Sequence, residues 1–434
     1  YSHRIRRCVV TTEPTASVLW EAELPPRAPA SGEGLPRRVD VAVIGGGYTG
    51  LCAARALRQA GASVLVLERD RIGAGASSRN GGFVLPGYKS DIGDVVRHFG
   101  LPLARQLHED SVAAIAFVER LVADEGISCD FHRPGYVTLA AKPHHLKGLE
   151  ETRRLLERDF GYHSRLLSQT EMQAEIATER YHGGLLEPDA AAIQPAAYVR
   201  GLAEAAVRLG VVLAEGVEAT AVRRVGQEFE LETSRGPVTA RDMLVATNGY
   251  TGNLLPWLAQ RVVPVGSFLI ATAPLSTDQQ RRLIPHRRLF ADTKNLLYYF
   301  RLSADGRMVF GGRAAFVPSA VERSRELLRL GMAEVFPELD ATPVAFAWGG
   351  ALGFTRDLLP HAGRHDGVAY ALGYGGHGVA LASWLGDRVG RAMAGVGAWP
   401  AIASTPFPSI PLYRGTPWFL PVAGAYYALK DRLD

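Results

Sequence analysis

Val39-Asp40-Val41-Ala42-Val43-Ile44-Gly45-Gly46-Gly47-Tyr48-Thr49-Gly50-Leu51 is the stretch on which the fold turns. Residues 39–44 have strand length and are apolar except for Asp40. Gly45-x-Gly47-x-x-Gly50 follows at once, residues 51–59 are Ala-rich and helix-like, and Gly61 stops them. A second apolar run, 62–67, ends in Glu68. This is one β–turn–α–β unit in about 30 residues, the setting in which a glycine triplet binds a dinucleotide. Gly45 permits the tight turn, Gly47 lets a pyrophosphate reach the backbone, and Gly50 lets the helix lie close on the strand. Free N–H groups at the helix start face the phosphates. Glu68 stands where a carboxylate accepts from a ribose diol and repels a 2′-phosphate, which disfavours NADP. The competing reading is a glycine-rich turn that binds nothing.

A second string has the same form: Gly373-Tyr374-Gly375-Gly376-His377-Gly378, again between an apolar run (368–372) and a helical pattern (379–393). No second strand or acid follows it, so it is rejected as a dinucleotide site. Its helix start is still an anion site. It suits the negative N1/C2-carbonyl edge of a reduced flavin; a plain strand–helix turn is the alternative. Between the two lies Gly75-Ala76-Ser77-Ser78-Arg79-Asn80-Gly81-Gly82-Phe83, whose small residues suit close approach to a flat ring. A flexible surface loop is the competing reading there. The two turns together with this loop point to FAD rather than NAD.

Working outward, helices are expected at 101–125, 146–160 and 195–209, and strands at 211–214 and 220–224. Residues 229–233 and 237–239 read as a hairpin, and 243–247 as a separate buried strand. Residues 261–314 change character. Runs at 262–273, 288–291, 295–302 and 307–312 are β-branched and aromatic, Asp305-Gly306 makes a hairpin turn, and a helix follows at 321–330. The expected fold class is α/β: a Rossmann-like FAD-binding domain with an inserted antiparallel-sheet (α+β) substrate domain. The FAD-binding part takes 38–92, 186–256 and 343–400, and the substrate part 93–185 and 257–342. Residues 1–37 form an N-terminal extension and 401–434 a C-terminal tail.

Composition narrows the function classes. The 434 residues carry a net charge of +4 with Lys and Arg dispersed, so nucleic-acid binding has no footprint. Cys8, Cys52 and Cys129 are far apart and odd in number, which fits a reducing compartment, here the cytoplasm, and no disulfide framework. No apolar run reaches the length of a membrane span, and the basic start, residues 1–7, leads into no signal-peptide core. His361 and His365 are four apart, but Pro360 and Gly363 break any helix between them, so no metal site is expected. Neither a GxSxG elbow nor a Walker loop occurs.

The set formed by residues 40–50, Glu68, 75–82, 246–249 and 373–378 resembles the D-amino-acid oxidase/glycine oxidase family of FAD enzymes. Within it the gamma-glutamylputrescine oxidase-like branch is the more similar. Its marks are Gly47-Tyr48-Thr49-Gly50-Leu51, Ser78-Arg79-Asn80-Gly81-Gly82, Asn295-Leu296-Leu297-Tyr298-Tyr299-Phe300-Arg301-Leu302, Gly375-Gly376-His377-Gly378 and the tail Ala425-Tyr426-Tyr427-Ala428-Leu429-Lys430-Asp431-Arg432-Leu433. The chain departs from that branch at Phe83, where a polar residue is expected. The resemblance implies FAD, a two-domain fold and oxidation of a carbon–nitrogen bond. It implies cofactor contacts from Gly45, Gly47, Tyr48, Thr49, Gly50, Glu68 and Arg69 at the ADP end, with the backbone of Ala219 at the adenine. Gly75, Ala76, Ser77, Ser78, Arg79, Asn80, Gly81, Gly82 and Phe83 would run along the flavin. Ala246, Thr247, Asn248 and Gly249, with Gly375, Gly376, His377, Gly378 and Val379, would meet it from the other side. With no Cys or His in 75–83, FAD is expected to bind non-covalently.

The expected reaction is oxidation of a small amine or amino acid. A neutral amine lies over the flavin, its α-hydrogen passes as hydride to N5, and the resulting imine hydrolyses, with O2 as the expected electron acceptor. Tyr299 and Arg301, on the aromatic strand, are expected in the pocket. Arg301 would anchor a substrate anion and His377 would tune the flavin edge or pack. Two alternatives stay open: a dehydrogenase with another acceptor, and a non-catalytic FAD-binding or assembly protein.

Overall fold

The computed structural model describes residues 17–26, 34–312 and 321–433. Cys8, the basic start and most of the predicted N-terminal extension lie outside the described residues.

The strand Arg38–Ile44 is the centre from which the first sheet is built. It pairs in parallel with Val64–Glu68 on one side and Val238–Val245 on the other. Val212–Glu215 extends the sheet beyond Val64–Glu68, and Val368–Leu372 extends it beyond Val238–Val245, all parallel. His361–His365 closes that edge antiparallel, and the hairpin Ala219–Val225/Glu228–Thr233 hangs on the first half of Val238–Val245. These strands are apolar at successive positions because both faces are covered. Val41 and Val43 enter one core, with Leu51, Leu57, Leu381 and Leu385 of the covering helices; Ala42 and Ile44 enter the other, with Phe229 and Leu231.

The second sheet runs in the order Val344–Phe354, Val263–Thr272, Met308–Gly312, Tyr298–Leu302, Leu289–Asp292, Tyr136–Leu139, Gly183–Glu187, Arg165–Ser168. It is antiparallel except where Leu289–Asp292 pairs with Tyr136–Leu139. One face stacks Phe290, Phe300 and Phe310 at 5.5 Å centroid spacings, in one core with Leu328 and Met332 of helix Val321–Val335. Tyr299 and Arg301, alternating with Phe300, belong to the opposite face, and Arg301 reaches across to Gly81 of the first domain.

Several boundaries differ from the sequence reading. Val344–Phe354, expected within the FAD-binding part, is hydrogen-bonded along the whole of Val263–Thr272 and so belongs to the second sheet. The predicted border at 186 cuts through strand Gly183–Glu187, which also lies in that sheet. Helix Leu101–Asp124, assigned to the substrate part, buries Leu107, Ile115 and Val118 in the core of the first domain. The runs 237–239 and 243–247 are one strand, because Val238–Val245 holds the hairpin with its first half and Val368–Leu372 with its second. The tail contains the helix Leu420–Leu433.

Candidate active site

The carboxyl ends of the parallel strands open into a cavity of about 1320 Å³. In a doubly wound sheet this is where a dinucleotide lies. At one end of the cavity the glycine triplet has the local geometry its spacing implies. Gly45 has φ 107°, and a Cβ there would stand 2.7 Å from the Ala246 carbonyl oxygen. A Cβ on Gly50 would fall 1.9 Å from the Gly45 carbonyl oxygen, so only glycine lets helix Tyr48–Gln59 start this close to its strand. Glu68 Oε2 accepts from Gly46 N–H at 2.9 Å and Oε1 from Asp70 N–H at 3.0 Å. Burial nevertheless raises its pKa above the usual carboxylate value. Tyr48 N–H is taken by Ser77 Oγ at 3.1 Å. Among the described residues the N–H groups of Gly47 and Thr49 make no hydrogen bond, which leaves them to a phosphate.

The loop from Gly75 to Gly82 is held from behind with unusual completeness. Three consecutive carbonyl oxygens each accept from a side chain of a different element: Arg79 from Trp348 Nε1 at 2.9 Å, Asn80 from Trp20 Nε1 at 2.8 Å, and Gly81 from Arg301 Nε at 2.8 Å. Ile193 N–H donates to the fourth, Gly82. The Asn80 amide donates to the Ala76 and Ser77 carbonyls and to Tyr48 Oη, and its oxygen accepts from Gly82 N–H. Ser78 Oγ donates to Glu21 at 3.0 Å. With its carbonyls held from other elements and its turn closed by the Asn80 side chain, the loop is a fixed wall.

The second glycine turn stands across the cavity. Gly373, Gly375 and Gly376 all have positive φ (88°, 58° and 100°), a region that side chains disfavour. Asn248, itself at φ 44°, accepts from Gly373 N–H at 3.0 Å, and Gly375 N–H donates to the Gly353 carbonyl. The helix that follows, Gly378–Met393, packs backbone to backbone on Tyr48–Gln59. A Cβ on Gly386 would meet the Thr49 carbonyl at 2.4 Å, and one on Gly390 the Ala53 carbonyl at 2.6 Å. Thr49 Oγ1 and Tyr374 Oη hydrogen-bond at 2.7 Å, so the two helix starts face one space.

The cavity wall includes Gly45, Gly47, Tyr48, Thr49, Glu68, Arg69, the run 75–80, Ala219, Ala246, Thr247, Asn248, Gly376, Gly378 and Val379. Gly50, Gly81, Gly82, Phe83, Gly249, Gly375 and His377 are not wall residues. Gly50 and Gly249 act by close packing, Gly249 against the backbone of Ala351 and Leu352. His377 N–H donates to the Tyr374 carbonyl and caps the turn. Phe83 packs edge-on against Tyr299 at 5.7 Å and Tyr136 at 6.5 Å. Tyr299 lies off the cavity wall, with its hydroxyl 3.2 Å from Ser267 Oγ. Arg301 does not stand open to a substrate anion. It is buried (2 % exposed), donates to the Gly81 and Ile193 carbonyls, and lies over Trp20 at 5.1 Å; burial lowers its pKa to about 10.

Sequence reasoning missed Trp20, Trp348 and Tyr250. Trp20 sits on the short helix Leu19–Ala22, within the predicted loop-like approach. Tyr250 Oη accepts from Ala351 N–H at 3.0 Å and its ring backs Gly75. Isolated aromatics give no periodic signal. Cys52 and Cys129 are unpaired and buried, their thiols pushed up to about 12, so neither is a reactive thiolate. No His/Cys/Asp/Glu cluster among the described residues could hold a metal. His361 instead bonds Asp357 at 3.0 Å and stacks on Phe407.

The residues fit FAD: one cavity joins a dinucleotide turn with its acid to a glycine loop and a second helix start. Comparison with known proteins agrees. The family model described as FAD dependent oxidoreductase (DAO) matches residues 40–392. Gamma-glutamylputrescine oxidoreductase of Escherichia coli (strain K12) is 34% identical over 400 residues, 91% of this chain and 93% of that protein. Glycine oxidase of Geobacillus kaustophilus (strain HTA426) is 24% identical over 367 residues, 81% of this chain and 92% of that protein. Among solved structures, glycine oxidase from Geobacillus kaustophilus superimposes with a TM-score of 0.71 at 20% identity, covering 87% of this chain and 99% of that one. L-proline dehydrogenase from P. horikoshii gives 0.69 at 20% identity, covering 85% and 96%. With its glycine turn, carboxylate and residues 75–80 in one cavity and the family model spanning most of its length, the chain belongs to the DAO family of FAD-dependent oxidoreductases.

Proposed function

We propose that the chain is an amine or amino-acid oxidase that binds FAD non-covalently and passes electrons to O2. The observation that carries the reading is the single cavity walled by Gly45, Gly47 and Glu68 at one end and by Asn80, Gly376 and Val379 at the other. The identity to a gamma-glutamylputrescine oxidoreductase along nearly the whole chain supports an amine substrate. FAD bound there supplies the acceptor for a hydride from the carbon that bears the amine.

The chain's own residues bind, orient and exclude water. Glu68 accepts from the ribose, and the Gly47 and Thr49 N–H groups donate to phosphate. The helix start at Gly378 stabilises negative charge on the pyrimidine edge. The backbone of 78–82 fixes the ring plane, and Tyr299 and Phe83 pack behind it against Gly81. Arg301 acts through the loop it holds. The Gly75–Phe83 loop contains neither Cys nor His, which supports non-covalent FAD, and the unpaired, buried Cys52 and Cys129 support a reducing compartment, the cytoplasm.

Anaerobic mixing of the purified yellow protein with gamma-glutamylputrescine, other N-acylated diamines, N-methyl amino acids and D-amino acids tests this. A true substrate bleaches the flavin absorbance, and stoichiometric peroxide then appears under air. Bleaching without peroxide would replace the oxidase by a dehydrogenase. Tight FAD binding with no bleaching by any amine would leave a non-catalytic flavoprotein.

A further inference from the structure

The helix Leu420–Leu433 places four large apolar side chains in solvent: Val422 (72% exposed), Tyr426 (60%), Leu429 (55%) and Leu433 (77%). At about 100° per residue these positions fall within roughly 60° of one another, so they form one stripe. On the same projection Lys430 and Arg432, both exposed, flank the stripe on opposite sides at roughly 70–90° from its centre. Asp431 lies on the opposite face of the helix. There its carboxylate accepts from Asn295 N–H, the Asn295 amide and Leu296 N–H, each at 2.8 Å. Leu420 is buried with Val263, Val265 and Tyr413, so the helix is fastened to the body at both ends. The apolar stripe therefore points outward by construction.

We propose that this face docks on an anionic phospholipid surface, with the helix lying in the plane of the interface. An apolar stripe of this kind on a monomer marks a binding face. The charges identify its occupant. Among the described residues of the helix, the charged side chains that flank the stripe are basic, and its acid is turned inward and satisfied by three donors. A second copy seated on the same face would bring Lys430 and Arg432 against their own kind, whereas anionic headgroups complement them. Trp418, 63% exposed just before the helix, and Tyr426 are residue types that settle at headgroup depth. No described helix is long and apolar enough to cross a membrane, so contact of this kind lies on the surface. Through Asp431 the docked helix is joined to the loop that enters strand Tyr298–Leu302.

Vesicle co-sedimentation of the flavin-loaded protein tests this. With vesicles containing about one-third phosphatidylglycerol the protein pellets, and with phosphatidylcholine alone it stays largely in solution. Raising salt weakens the binding. V422E/L429E lowers the partition coefficient about a hundredfold and K430E/R432E about thirtyfold. Because all four side chains are in solvent, flavin content and melting temperature stay those of the parent. Should V422E/L429E not fold, K430E/R432E and the salt series decide alone. Equal pelleting on both vesicle types, or partition unchanged by the variants that fold, overturns the proposal. So does a lipid-independent dimer that V422E/L429E converts to monomer, since the face would then join two copies of the chain.

Discussion

The two glycine turns, at 45–50 and 373–378, share a formula and differ in what they hold. Each follows a parallel strand, each starts a helix, and the two strands flank Val238–Val245 in one sheet. Each is pinned by a side-chain oxygen at the end of a neighbouring strand: Glu68 on Gly46 N–H, Asn248 on Gly373 N–H. The first turn is crowded, its glycines pressed on backbone at 2.7 and 1.9 Å, and it is pinned by a titrating acid. The second is pressed by side chains instead, with a Cβ on Gly373 2.5 Å from Thr355 Cγ2 and one on Gly375 3.0 Å from Lys89 Cβ. It opens only at Gly376, where the nearest atom is Leu352 Cδ1 at 3.8 Å, and its pin is neutral. A ribose and pyrophosphate need close backbone and a carboxylate; a flavin edge needs a helix start that nothing crowds. Under the proposed FAD reading the same residue pattern serves two sites, and the neighbouring strand decides which.

Substitution can break that contrast. Gly50→Ala forces helix and strand apart and is expected to cost about 4 kcal/mol, a loss of about a thousandfold in FAD affinity, read as protein purified without the absorbance near 450 nm. Gly378→Ala meets the Tyr374 side chain, nearest at Cβ 3.1 Å, and no backbone, and should keep its flavin. Equal loss in both would erase the distinction between the turns. The loop between them comes next. Arg301→Met leaves the buried Gly81 and Ile193 carbonyls without donors and should lower stability by about 3 kcal/mol, visible in the denaturant midpoint. If Arg301 served instead as a substrate anchor, KM would rise with the midpoint unmoved.

Trp20→Phe retains the ring and removes one bond to Asn80, for about 1 kcal/mol and a small fall in melting temperature. The smallest effect concerns pH and separates the two pins. Burial raises the Glu68 pKa above 4.5, so the FAD-free fold holds a proton there that the unfolded chain has released. Its contribution is complete below pH 4.5 and disappears as the pH rises past the raised value. Melting temperature should fall over that window and Glu68→Gln should flatten the slope. An Asn248→Gln variant that changed the slope equally would refute the assignment.

What could be read in the sequence was whatever repeats locally. The strand 38–44, its turn and the acid at 68 form one contiguous unit whose geometry is set by near neighbours. Strand Val344–Phe354 was not readable. Its Ala- and Gly-rich run, Val-Ala-Phe-Ala-Trp-Gly-Gly-Ala-Leu-Gly-Phe, lacks alternation, and its register comes from Val263–Thr272, some 80 residues earlier. Arg301 lies on the strand expected for it, but buried against the loop rather than in the pocket. An arginine on an aromatic strand looks the same whether it meets a substrate carboxylate or two backbone carbonyls, and only the fold decides. Trp20 and Trp348 were invisible for a related reason: each donates one bond across the chain.

Those three donors have a consequence for the order in which the molecule is assembled. Asn80, Gly81 and Arg79 find their partners at sequence separations of 60, 220 and 269 residues. A ribosome-bound chain can form the first β–α–β unit early, but the wall beside the flavin waits until Trp348 has emerged. Tight flavin binding then certifies a completed chain, and a truncated product keeps its dinucleotide turn yet stays colourless.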